Sequence, residues 1–108
     1  IWRMLAHAAL GQQDELRILC SELNRDLDSK PRAIKLMTAL ATNLAGASLG
    51  KDESLGRTLV LNARAVLNKF RAEETELGPM LTALQETDPE DDKYVGVSRK
   101  LLLSLTFQ

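Results

Sequence analysis

Residues 52–74, DESLGRTLVLNARAVLNKFRAEE, form the most strongly periodic stretch of the chain. Their apolar members recur every three or four positions, which puts them on one face of an α-helix. These members are Leu55, Leu59, Ala63, Val66, Leu67 and Phe70. The stretch therefore predicts a long amphipathic helix, and the segments on either side of it show the same periodicity.

Two helices are predicted at the beginning of the chain. The first covers residues 1–10 and stops at Gly11, since glycine readily ends a helix. The second opens at Asp14 and Glu15, whose charges suit the positive end of a helix dipole, and it runs to near Asp28.

A third helix is predicted from a start signal at Ser29 and Pro31 to about Ala47, with Gly50 closing it. Serine can accept amide hydrogens at a helix start, and proline fits a first turn. Small residues such as Gly46 would let a neighbouring helix approach closely. Its predicted buried stripe comprises Ile34, Met37, Leu40, Ala41 and Leu44.

Two more helices are predicted after the long one. Gly78 and Pro79 interrupt the pattern, and a short apolar helix follows them. Asp88 and Pro89 then mark a second cap and proline start, with acids in the first turn of a helix that runs almost to the end of the chain.

Composition agrees with an all-α fold, because Leu and Ala supply most of the 44% hydrophobic residues while aromatics make up only 4%. A chain of 108 residues suits a single domain covering residues 1–108. Because the sequence begins at Ile1 rather than at a methionine, a fragment of a longer chain is a second interpretation of this domain. We predict five or six helices in consecutive antiparallel hairpins, as a helical bundle or a short array.

Charge and cysteine content bear on the class of protein. With 14 Lys and Arg against 15 Asp and Glu, the net charge of -1 argues against dominant phosphate binding. No apolar run approaches the ~18 residues of a membrane span, and the start lacks a secretory pattern. The single cysteine, Cys20, favours a reducing, cytoplasmic setting.

The last third of the chain resembles an armadillo or HEAT repeat. The residues that carry the likeness are 78–84 (GPMLTAL), 88–90 (DPE) and 98–105 (SRKLLLSL), where a short apolar helix meets an acid-proline turn and a Leu-rich helix. Short motifs also recur at about 40 residues, which is within the range of those repeats. The resemblance implies a short right-handed array of stacked helix pairs that present a surface to a protein partner, and a closed bundle remains the alternative.

The residues that could carry catalysis or bind a metal lack the spacing that such sites need. His7 has no cysteine or carboxylate at ligand spacing on its helix face. Cys20 lies among leucines, as a buried structural thiol does. The acids of residues 86–92 lack EF-hand spacing, and capping explains them better. We therefore predict no enzyme activity, cofactor or metal; an active site completed elsewhere in a longer chain is the remaining enzymatic alternative.

A candidate binding surface lies along the long helix. Arg57, Arg64, Asn68 and Arg71 are spaced so that they form one stripe beside the apolar face. Guanidinium groups fork onto carboxylates and an amide pairs with a backbone, so the stripe fits an acidic or extended peptide. In the alternative interpretation, these arginines only pair with neighbouring glutamates on a solvated face.

The aromatic residues near the chain ends add a second candidate contact. Trp2 and Phe107 either close the core or, if exposed, mark contacts with a partner or a second copy. The sequence thus predicts a protein–protein interaction module, an adaptor, scaffold or regulatory domain, for which self-association is open. The alternative is a nucleic-acid-binding domain that uses Arg57, Arg64, Lys69 and Arg71, which the net charge disfavours.

Overall fold

The computed structural model describes residues 2–50, 53–73 and 78–106, and the side chains of residues 3–50, 53–70 and 78–104. Within these residues the fold is an all-α bundle of six helices with no strand. The helices are α1 Trp2–Ala9, α2 Gln13–Asn24, α3 Arg32–Leu49, α4 Ser54–Glu73, α5 Gly78–Glu86 and α6 Lys93–Thr106. A 3-10 turn, Leu27–Ser29, precedes α3.

The six helices form three consecutive hairpins, and the α3/α4 hairpin lies between the other two. α3 packs most extensively against α4, and it also contacts α6 and α1. This central position explains why α3 is buried from Leu36 to Gly46 with only Met37 half-exposed. Across the described helices, none is long and apolar enough to pass through a membrane.

Two apolar clusters on different sides of α3 form the core. One cluster joins α3 to α4, α5 and α6 through residues such as Leu40, Leu67 and Leu101. The other joins α3 to α1, α2 and α4 through Met4 and Leu16. The face predicted for α4 is confirmed, since Leu59, Ala63, Leu67 and Phe70 are buried and Leu55 and Val66 are half-buried.

A buried polar network joins α3 to α6 inside the first cluster. The Tyr94 hydroxyl donates to Asn43 Oδ1 at 2.5 Å, and Asn43 Nδ2 donates to Ser98 Oγ at 2.8 Å. All three side chains are almost completely buried. Because buried polar groups need partners, this network constrains how α6 packs on α3.

The structure differs from the sequence-based predictions at the ends of two helices. α2 ends at Asn24 rather than near Asp28, because Asn24 Nδ2 donates to the Cys20 carbonyl and Asp26 takes a left-handed conformation (φ 53). Asparagine and aspartate tolerate such departures from the helix. Ser29 does not cap α3, since its hydroxyl donates back to the Asp26 carbonyl.

Two further expectations about the helices were wrong. α6 begins at Lys93, so the acids expected in its first turn belong to the preceding loop. Ile34 is 48% exposed rather than buried, because it precedes the part of α3 that the other helices surround.

Candidate functional site

The candidate site begins where α3 crosses α4. A Cβ atom built on Gly46 would lie 2.7 Å from the Gly56 carbonyl oxygen, and one built on Gly56 would lie 2.7 Å from the Gly46 carbonyl oxygen. Both positions therefore require glycine, and the two backbones are in direct contact. The absence of side chains at these two positions allows α3 and α4 to lie this close together.

Beside the crossing lies a cleft of about 280 Å³ with mostly apolar walls, which we call the α3–α4 cleft. The described residues that line it are Gly46, Ala47, Gly50, Gly56, Arg57, Val60, Leu61, Asp88, Pro89 and Glu90. Small-molecule sites usually enclose about 300–1,000 Å³. The cleft is at the lower edge of that range, so its size suits one or two side chains of a partner.

Leu61 gives the mouth of the cleft an apolar rim. Its side chain is 63% exposed, although it lies on α4 one position from the buried Val60. An exposed leucine alone is ordinary on a protein surface, whereas one that borders an apolar cleft extends the surface that a partner could cover.

Arg64 holds the end of α5 in place next to α4. Its guanidinium group donates to the carbonyl oxygens of Gln85 at 2.8 Å, Thr87 at 3.1 Å and Leu84 at 3.5 Å. Gln85 Nε2 donates in return to the Arg64 carbonyl at 3.2 Å. The last carbonyls of a helix lack helical partners, so Arg64 supplies donors to those of Gln85 and Thr87 and adds to the bond that the Leu84 carbonyl accepts from the Thr87 amide at 3.2 Å. These bonds tie the start of the following loop to α4.

The loop between α5 and α6 forms the acidic wall of the cleft. Asp88 Oδ1 accepts from the Glu90 amide at 2.9 Å, and Asp91 Oδ1 accepts from the Lys93 amide at 2.9 Å. These two carboxylates shape the turn and start α6, as aspartates do in turns and at helix starts. Glu90 and Asp92 extend into solvent.

The predicted arginine stripe is divided by the fold. Arg57 is exposed and lines the cleft, and Asn68 is exposed farther along α4. Arg64, between them, is half-buried beneath the end of α5, with its guanidinium carbon 5.6 Å from the centre of the Tyr94 ring. The structure thus brings Arg57, but not the whole stripe, to the cleft.

Three other predicted site residues lie outside what the structure describes. They are Phe107 and the side chains of Trp2 and Arg71. Their roles in binding stay predictions.

His7 and Cys20 are the single histidine and the single cysteine of the chain. His7 Nδ1 lies 2.7 Å from Gln12 Oε1 on the surface. Cys20 is buried as predicted, and burial raises the pKa of its thiol to about 11, so it stays protonated and weakly nucleophilic at neutral pH. The described part of the chain contains no group of three or more His, Cys, Asp or Glu residues able to hold a metal ion.

Two other depressions differ in character from the α3–α4 cleft. Half of the residues that line a groove of about 610 Å³ between α2 and α4 carry amides or hydroxyls, and Gln13 donates to Glu53 within that lining at 2.9 Å. A pocket of about 270 Å³ lies between α1, α3 and α6, beside Leu103. Neither combines an apolar wall with an exposed leucine and a cluster of like charges.

Sequence reasoning found Gly46 and Arg57 but missed Leu61, Gly56 and the loop residues that complete the cleft. A signal existed for two of them. Leu61 departs from the predicted apolar face of α4, and Gly56 lies beyond the Gly50 turn at the position that would meet Gly46 in a tight hairpin. The loop depends on how α5 and α6 return to α4, for which no local pattern exists.

No family model, curated protein or solved structure matches this chain.

Proposed function

We propose that this chain is a protein interaction module, an adaptor, scaffold or regulatory domain, that binds a segment of another protein at the α3–α4 cleft and does no catalysis itself. The observation that carries the proposal is the apolar cleft with Leu61 at its mouth. Covering a leucine fully is worth about 1.5–3 kcal/mol, and partners concentrate binding energy in such small pockets. A single buried thiol also fits the reducing cytoplasm as the compartment.

The geometry favours an anchored segment over a broad, flat interface. The cleft accepts one or two side chains, and the exposed end of Arg57 and the loop carboxylates flank it with polar groups. An apolar centre with a polar rim is the usual anatomy of a protein interface. The partner's anchor would supply affinity, and the rim would set orientation and selectivity.

The nucleic-acid alternative has less support from the arrangement of charges. Arg64, one of the cations that it needs, donates to carbonyls of its own chain. Asp88 and Glu90 border the same cleft as Arg57 and would repel phosphates.

Selection from a random peptide library displayed on phage tests the proposal. The immobilised domain should enrich peptides that share an aliphatic anchor, and the variant Leu61→Gln should lose them. Ile18→Gln is the matched control, because Ile18 is 61% exposed on α2, away from the cleft. Failure to enrich any peptide, or equal loss in both variants, would refute binding at this cleft.

A further inference from the structure

The loop at the edge of the cleft carries a dense set of negative charges. We call residues 86–92 (ETDPEDD) the acidic loop, since five of its seven residues are carboxylic acids. All five are exposed: Glu86, Asp88, Glu90, Asp91 and Asp92. Two of them, Asp88 and Glu90, line the α3–α4 cleft itself.

The cations near the loop leave it negative. Arg64 is turned toward the end of α5, where its charge is set against the negative end of the helix dipole and against three carbonyl oxygens. Among the described residues, Arg57 in the cleft lining and Lys93 directly after the loop set two positive charges against the five negative ones of the loop. A partner that enters the cleft therefore meets a negative field.

Resting on the proposed function, we propose that the occupant of the α3–α4 cleft is a basic segment of another protein, in which an aliphatic side chain enters the cleft and flanking lysines or arginines face the acidic loop. The arginine stripe predicted on α4 favours an acidic partner instead. The difference arises because folding commits Arg64 to the end of α5 and places the acidic loop beside Arg57.

The α3–α4 cleft and the acidic loop contribute differently to binding: the cleft provides affinity and the loop provides selectivity. Exposed ion pairs each contribute little and are screened by salt, so no single carboxylate should dominate. Several acting together steer a basic segment toward the cleft and penalise an acidic one. The aliphatic anchor remains necessary, since charge attraction alone gives no register.

Neutralising the acidic loop tests the proposal without disturbing its turns. The variant Glu86→Gln/Glu90→Gln/Asp92→Asn removes three charges and keeps the two aspartates whose carboxylates accept backbone amides. The control Glu15→Gln/Glu22→Gln/Asp28→Asn makes the same change in charge at exposed positions of other elements. Affinity for the library-selected peptides is measured by isothermal titration calorimetry at low and high salt.

We expect the selected peptides to carry lysine or arginine on either side of the anchor. Their affinity should fall about tenfold in the loop variant, a change of about 1.4 kcal/mol, and should change less than about twofold in the control. It should also weaken as salt rises.

The outcomes separate this inference from the proposed function. Peptides that need Leu61 but are neutral or acidic, or that bind the loop variant unchanged, would overturn the basic partner and leave the cleft as a binding site. If nothing is selected, both proposals fail. If light scattering shows a dimer of this chain that Leu61→Gln abolishes, the occupant is a second copy and the basic segment of another protein is refuted.

Discussion

Replacing Gly46 by alanine should destabilise the fold, although alanine favours helices over glycine. The new methyl group would lie 2.7 Å from the Gly56 carbonyl oxygen, 2.9 Å from Leu59 Cβ and 3.0 Å from Val60 Cγ2. Two of these atoms belong to the backbone or are attached directly to it, so they cannot rotate away. α4 would have to move by several tenths of an ångström.

The size of the effect follows from two opposing terms. Alanine in a helix interior is favoured over glycine by about 1 kcal/mol. Overpacking that shifts a backbone opposes this by about 1–3 kcal/mol, and the short contact with a carbonyl oxygen puts this site in the upper part of that range. We therefore expect the free energy of unfolding to fall by about 1–2 kcal/mol.

Urea unfolding followed by circular dichroism measures this change, and Gly96→Ala is the matched control. Gly96 lies within α6, is exposed, and has no neighbouring atom within 4 Å of an added Cβ. The control should gain up to about 1 kcal/mol from helix propensity alone. If Gly46→Ala were as stable as Gly96→Ala, the close crossing that shapes the cleft would be refuted.

Three further changes test other parts of the fold by the same unfolding assay. Tyr94→Phe should lose about 1–2 kcal/mol, because it leaves Asn43 Oδ1 buried without its donor; an unchanged stability would contradict the network. Arg64→Lys should lose about 1–2 kcal/mol, since an ammonium group cannot span three carbonyls, whereas Arg99→Lys, at an exposed position of α6, should change stability by less than about 0.5 kcal/mol. Burial raises the pKa of the Cys20 thiol in the folded state from 9.0 to about 11. The thiol's contribution to the free energy of unfolding is therefore fully present below pH 9.0 and is lost as the pH rises toward 11. This loss amounts to about 2–3 kcal/mol, and Cys20→Ala should make the free energy of unfolding depend less steeply on pH between about 9 and 11. An equally steep dependence in the variant would contradict the burial of the thiol.

Local periodicity was enough to predict the six helices and the buried face of α4. Both depend on the spacing of apolar residues within one segment, as at Leu59, Leu67 and Phe70. The burial of Cys20 among leucines followed for the same reason. The likeness to armadillo and HEAT repeats stays a prediction, since a middle hairpin between two others fits both a short array and a closed bundle.

Contacts between distant segments were beyond the reach of such patterns. Arg64 has the spacing of an exposed residue on α4, yet the return of α5 places three carbonyl oxygens above it. Ser29 has the sequence position of a cap, yet the 3-10 turn directs its hydroxyl to Asp26. The basic partner that we propose differs from the acidic one that the stripe predicts because the proposal takes account of where the fold places Arg64 and the acidic loop, and both remain to be tested.

Binding of a partner segment at the α3–α4 cleft is the central claim, and a nuclear magnetic resonance titration tests it most directly. A library-selected peptide is added to the ¹⁵N-labelled chain, and the amide signals are followed. The account predicts the largest shifts at the cleft, at Ala47, Gly56, Leu61 and Glu90. Shifts concentrated instead in the α2–α4 groove, or spread evenly over the surface, would contradict it.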